Sequence, residues 1–153
     1  MVADGRYIAS GESNNEVQIW DVHSGVVLST FRYDYNDPVD TLAWSPNGRY
    51  VASGGRDNQV HIWDVQGAQL VISYKGHRGE VSALAWSPNG AMIASGSYDH
   101  TVQIWNVKDG TTLLTYNGHN DIVDALSWSP DGTRIASGSW DRTVQIWEAL
   151  PGR

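Results

Sequence analysis

Ala94-Ser95-Gly96-Ser97-Tyr98-Asp99-His100-Thr101-Val102-Gln103-Ile104-Trp105 carries the key to this chain. Two short strand-like runs flank a polar turn, and the Ile-Trp word that closes the second run is found again at Ile19-Trp20, Ile62-Trp63 and Ile146-Trp147. The spacings between those tryptophans are 43, 42 and 42 residues. A repeat of this length made of strands predicts propeller blades, because one such unit cannot bury both faces of its sheet and must stack on its neighbours.

A second marker runs in step with the first, as Trp44-Ser45-Pro46-Asn47-Gly48, Trp86-Ser87-Pro88-Asn89-Gly90 and Trp128-Ser129-Pro130-Asp131-Gly132. Pro-Asn-Gly and Pro-Asp-Gly are turn sequences. An apolar run precedes each (Val39 to Trp44, Val81 to Trp86, Ile122 to Trp128), and another follows, such as Tyr50-Val51-Ala52 or Arg134-Ile135-Ala136. Each pair reads as a hairpin, here strands a and b; the Ile-Trp run is strand c, and a looser run (Leu70 to Tyr74, Leu113 to Tyr116) is strand d. The fold expected is all-β, with about fourteen strands in four units of roughly 42 residues, 1–32, 33–74, 75–116 and 117–153, in one propeller or propeller half. The order is b-c-d, a-b-c-d twice, then a-b-c, so the outer units lack a strand at each end. Raw edges and an uncovered apolar face then require closure, for which a homodimeric eight-bladed ring is favoured over a tight four-unit ring or a piece of a longer propeller.

Composition narrows the function. With 153 residues, 41% of them hydrophobic, the chain is large enough for a packed core. A formal net charge of -7 disfavours nucleic acid and anionic membrane surfaces and favours neutral or basic protein partners. The absence of cysteine excludes disulfides and thiolate metal sites. No apolar run approaches a membrane span and Met1 leads into Asp4-Gly5-Arg6, so a cytoplasmic protein is expected. The five histidines share no close ligand spacing, and the 16 glycines form no phosphate-binding loop, so neither metal nor cofactor is expected.

These motifs resemble the WD-repeat family of β-propellers over essentially the whole chain. Trp20-Asp21 and Trp63-Asp64 match the family's dipeptide at the end of strand c, with Asn106 and Glu148 in place of the Asp later on; Gly76-His77 and Gly118-His119 match its Gly-His before strand a. The resemblance implies a structural tetrad of His, Ser, Asp and Trp in each blade: His77, Ser95, Asp99 and Trp105, then His119, Ser137, Asp141 and Trp147. The second unit keeps Ser53, Asp57 and Trp63 but has Asp34-Tyr35 at the Gly-His position, a broken tetrad. The first keeps Ser10 and Trp20, with Asn14 for the Asp, so the N-terminal half is expected to be less tightly locked.

Ser, His and Asp together invite a hydrolase reading, but here the set recurs with a tryptophan attached. A buried indole N–H needs an acceptor, which a Ser-His-Asp chain supplies, and no nucleophile elbow accompanies any copy. The chain is therefore read as a non-enzyme.

In an up-and-down meander the d–a loops and b–c turns emerge on one end, the top face. There Ser13, Arg56, Tyr98 and Trp140 precede the tetrad Asp position and differ sharply in size and charge. The resemblance adds two positions near the start of strand a as partner contacts: Pro38 and Asp40, Glu80 and Ser82, Ile122 and Asp124. Arg56, Tyr98 and Trp140 have the character of binding anchors, unless the two aromatics lie flat against a neighbouring blade. Asp34, Asp37, Asp40, Glu80, Asp121 and Asp124 would ring them with negative charge suited to a basic peptide. The reading is an interaction scaffold; its rival is a self-assembling structural or sensory ring, or a fragment of a larger multidomain regulatory protein.

Overall fold

The structure is a computed structural model describing residues 5–32 and 37–150. It forms four antiparallel sheets and contains no helix among those residues. The first sheet holds β1 (Tyr7–Gly11), β2 (Glu16–Asp21) and β3 (Val27–Arg32). The second holds β4 (Val39–Trp44), β5 (Tyr50–Gly55), β6 (Val60–Asp64) and β7 (Gln69–Tyr74). The third holds β8 (Val81–Trp86), β9 (Met92–Ser97), β10 (Val102–Asn106) and β11 (Thr112–Tyr116). The fourth holds β12 (Val123–Trp128), β13 (Arg134–Ser139) and β14 (Val144–Glu148). Every sheet is a meander in chain order.

The same local sequence gives the same register in each sheet. Ala9 faces Ile19, Ala52 faces Ile62, Ala94 faces Ile104 and Ala136 faces Ile146 across the b–c pair. The c–d pairing shifts between Ile and Trp of each repeated word for which a fourth strand follows, and also at Ile19/Trp20; such bulges add twist to the outer part of a blade.

Sheets pack face to face through their inner strands, β1 beside β4, β4 beside β8 and β8 beside β12. Close approach is set by glycine in strand b: a Cβ on Gly54 would stand 2.6 Å from Val81 Cγ1, and one on Gly96 2.8 Å from Val123 Cγ1. Further out, an aromatic on the last strand of one sheet stacks on the strand-c tryptophan of the next. The pairs are Phe31 on Trp63 at 5.0 Å, Tyr74 on Trp105 at 4.7 Å and Tyr116 on Trp147 at 4.2 Å between ring centroids. Three junctions thus make three clusters, each combining residues of adjacent sheets: Val17, Ile19, Val51 and Trp63; Val60, Ile62, Ile93 and Trp105; and Val102, Ile104 and Ile135.

The repetition stops at the fourth sheet. Val102 and Ile104 are fully buried, whereas their counterparts Val144 and Ile146 are 74% and 70% exposed.

Candidate functional site

The b–c turns and d–a loops meet at one end of the sheets and are tied together by main-chain hydrogen bonds. Tyr98 N–H donates to Glu80 O at 2.9 Å, Trp140 N–H to Ile122 O at 2.9 Å and Arg56 N–H to Pro38 O at 3.4 Å. The opposite end is tied in the same way by the a–b and c–d turns, as in Val107 N–H to Ala91 O at 3.1 Å.

Beneath the top face lie the polar networks. In the third sheet His77 Nε2 is 2.8 Å from Ser95 Oγ and His77 Nδ1 is 2.8 Å from Asp99 Oδ2. Arg78 N–H donates to Asp99 Oδ2 at 3.0 Å and Thr101 Oγ1–H to Asp99 Oδ1 at 2.7 Å. The fourth sheet repeats this with His119, Ser137 and Asp141, again at 2.8 Å for both histidine contacts. With its proton on Nδ1, each histidine donates to the carboxylate and accepts the serine hydroxyl. Burial would raise the carboxyl pKa of Asp99, but the hydrogen bonds from His77, Thr101 and Arg78 N–H outweigh it and hold it well below 3.8. Asp141 is also held well below 3.8, chiefly by Thr143 and, against some desolvation, by His119 and Asn120 N–H.

The tryptophan link is uneven. Trp20 Nε1–H donates to Ser10 Oγ at 2.8 Å, Trp63 to Ser53 at 2.8 Å and Trp147 to Ser137 at 3.1 Å. Trp105 is the exception: its Nε1–H finds no acceptor among the described residues, although the ring is fully buried. The tetrad assigned to His77, Ser95, Asp99 and Trp105 is therefore corrected to a hydrogen-bonded triad with a stacked indole. Trp105 lies against Tyr74 with an interplanar angle of 9°.

In the second sheet Asp57 is engaged from within. His61, on β6, places Nε2 2.7 Å from Asp57 Oδ2 and Nδ1 2.7 Å from Ser73 Oγ. His61 stands opposite Ser53, where Gln103 and Gln145 stand opposite Ser95 and Ser137. The sequence signal for this was the four-residue spacing of Asp57 and His61 across a b–c turn. Asp34 and Tyr35, the residues at the second unit's Gly-His position, lie outside the described residues. Sequence reasoning also missed the tyrosine latch: Tyr74 and Tyr116 donate O–H to the side-chain oxygens of Gln103 and Gln145, whose Nε2 groups donate to Gly76 O and Gly118 O at 3.0 Å. Phe31, Tyr74 and Tyr116 recur at 43 and 42 residues, the signal that would have found it.

On the top face Trp140 is 58% and Tyr98 41% exposed. Their ring centroids are 6.4 Å apart at an interplanar angle of 51°. Trp140 Nε1–H donates to Asp124 Oδ2 at 2.8 Å. Arg56 Nε lies 3.9 Å from both Asp40 Oδ2 and Glu80 Oε1. Ile122 is half-buried beside this group and Ser13 is exposed on the first sheet. Ser82 is different: its hydroxyl donates to Val123 O of the next sheet at 2.6 Å, which makes it a junction residue rather than a free contact. Asp37 and Asp121 are half-buried, and Asp121 Oδ1 accepts the N–H of Ile122 at 2.8 Å. Among the described residues no group of three or more His, Asp or Glu side chains is placed to hold a metal ion.

Comparison with known families agrees with this architecture. The model for the WD domain, G-beta repeat (WD40) matches residues 25–64, 68–106 and 110–148, and the chain belongs to that family. Each match begins near the last strand of one sheet and runs through the first three strands of the next, so the sequence repeat bridges two sheets. The hairpin β1–β2 precedes the first match. No curated protein matched the chain. Repeats of this family generally serve as protein-interaction scaffolds.

Proposed function

We propose that the chain is a non-catalytic scaffold whose top face binds a protein partner through a basic peptide segment. One observation carries this reading: in a frame of repeated geometry, the position before the tetrad aspartate carries Arg56, Tyr98 and Trp140, all exposed. The other ring contacts are dominated by aromatics stacked between sheets, whereas this pair remains open to solvent. Exposed aromatic and arginine side chains are the usual anchors of an interface, and Asp40, Glu80 and Asp124 add the charge that steers a basic segment. A net charge of -7 opposes nucleic acid or an anionic membrane as the ligand. The polarity of the Ser137–His119–Asp141 chain is that of a hydrolase triad, but Ser137 is fully buried and accepts the Trp147 indole, so a substrate carbonyl has no approach to it. The test is capture of partners by wild type, Trp140→Ala and Arg56→Glu: loss in either variant supports this face, and undiminished capture by both moves the site elsewhere.

A second reading is favoured by the end sheets. Val144 and Ile146 occupy positions that a following sheet covers at every internal junction, and the first sheet presents Ile8, 38% exposed, where Val51, Ile93 and Ile135 are buried. A second copy docking head to tail would bury both faces and make an eight-bladed ring of two 1–153 units; further blades of a longer regulatory chain would do the same. Light scattering after size exclusion over a range of concentrations tests this: a stable dimer supports the ring, and a well-folded monomer at all concentrations contradicts it.

A further inference from the structure

At the junction of the second and third sheets the top face holds a cation of its own. Arg56 lies between Asp40, from its own sheet, and Glu80, from the next. One junction further round, the same repeat positions carry Tyr98 in place of Arg56 and Ile122 in place of Glu80, and the fourth sheet adds Trp140 and Asp124. Neither acid is kept at this junction, where the Asp40 position holds Ser82 and the Glu80 position Ile122; the negative charge comes instead from Asp124 of the fourth sheet, which is exposed and forms no ion pair among the described residues, while the arginine has become an aromatic ring.

The two rings are held ready. The hydrogen bond from Trp140 Nε1 to Asp124 Oδ2 at 2.8 Å fixes the indole edge, and Trp140 N–H is anchored to Ile122 O at 2.9 Å. Tyr98 flanks the indole at 6.4 Å with its plane tilted by 51°, so the pair makes an open corner rather than a closed stack. Among the described residues Asp124 Oδ1 accepts no hydrogen bond, and the exposed side chain leaves it open as an acceptor.

Resting on the reading of this face as a partner surface, we propose that Tyr98, Trp140 and Asp124 form a seat for an arginine side chain of the partner. A guanidinium laid on the Trp140 face gains the cation–π attraction of the indole, and its N–H fork donates to Asp124 Oδ1. Arginine suits the site better than lysine because one planar group stacks and donates in a fixed direction, whereas an ammonium has no flat face. Arg56 between Asp40 and Glu80 is the internal precedent for a guanidinium on this ring of loops.

The experiment is a titration of the full chain, with 15N in its tryptophan indoles, by the peptide acetyl-Gly-Arg-Gly-amide. The Trp140 indole signal is assigned from the spectrum of Trp140→Phe. Parallel titrations use the citrulline peptide, neutral but nearly the same shape, and the lysine peptide. The expected result is a saturable shift of the Trp140 signal with the arginine peptide, weaker with lysine and absent with citrulline. Tyr98→Ala and Asp124→Asn each weaken it about two- to five-fold. No saturable shift, or a response to citrulline or lysine as strong as to arginine, overturns the proposal. If the peptide fails while Trp140→Ala and Arg56→Glu still abolish partner capture, the seat is wrong and the partner surface stands.

Discussion

Trp86 donates its indole N–H to the main-chain carbonyl of Ala43, one sheet back, at 3.0 Å. Trp128 repeats the bond to Ala85 O at 3.0 Å. Trp44 occupies the same place in the second sheet, yet its N–H has no partner among the described residues, which include no strand of the first sheet at the position of β4 or β8. The strand-a tryptophan is thus a stitch between blades, and its state reports whether the preceding inner strand is present.

Phenylalanine in place of this tryptophan keeps the ring and removes the N–H. Trp86→Phe and Trp128→Phe should each lose about 0.5–1.5 kcal/mol more than Trp44→Phe, the net worth of one hydrogen bond. Urea unfolding of the three variants checks this, and equal losses would remove the stitch.

Read as structural elements, the polar triads under the top face give a stability series. His77→Ala strips partners from both Ser95 and Asp99 and should cost about 1–3 kcal/mol. Trp105→Ala empties a fully buried ring site and should cost about 3–5 kcal/mol, even though its N–H makes no hydrogen bond among the described residues. Thermal melts at wild-type temperature for either variant would contradict the assignment.

The carboxylates of these triads set the acid response. Asp99 and Asp141 have folded-state pKa values held well below 3.8, so their contribution is fully present above that value and is lost as pH falls through the folded values. Asp131 behaves likewise at the a–b turn, where Ser129 and Thr133 pull it down to about 2. Stability should therefore hold at neutral pH and fall steeply below about pH 4. The Asp99→Asn, Asp141→Asn double variant should be less stable at pH 7 and show a flatter decline between pH 4 and pH 2. Melts across that range decide it; a decline as steep as wild type would exclude these two groups.

How far the sequence speaks for the structure is clearest in one pentapeptide. Thr101-Val102-Gln103-Ile104-Trp105 and Thr143-Val144-Gln145-Ile146-Trp147 are identical, and both form a strand c with the same register against strand b. Strand, register and turn were legible because they depend on local alternation and on Pro-Asn-Gly or Pro-Asp-Gly chemistry. Burial was not legible, because Val102 is covered by a neighbouring sheet and Val144 is not, and no local pattern records that neighbour. His61 went unread, and Ser82 was read as a partner contact, for a related reason: which groups meet Asp57 Oδ2 or Val123 O is settled by cross-strand and cross-sheet geometry. The acidic aromatic group on the loops could be read, since repeat position alone places Arg56, Tyr98 and Trp140 on one face.

The uncovered face yields its own prediction. Ile104→Ala should cost about 2–5 kcal/mol at any protein concentration, as a core truncation. Ile146→Ala should be within about 0.5 kcal/mol of wild type in dilute solution, as at other exposed positions. If copies associate head to tail, the Ile146→Ala cost grows with protein concentration. Melting curves at two concentrations distinguish these cases.

The central claim, that the loop face receives a partner, is tested most directly by site-specific photo-crosslinking. A photoreactive residue replaces His100, exposed in the b–c turn beside Tyr98, or Thr133, exposed in an a–b turn at the opposite end. Mass spectrometry of the adducts should find a common protein partner attached through position 100 and not through position 133. Adducts through position 133 alone would contradict the account.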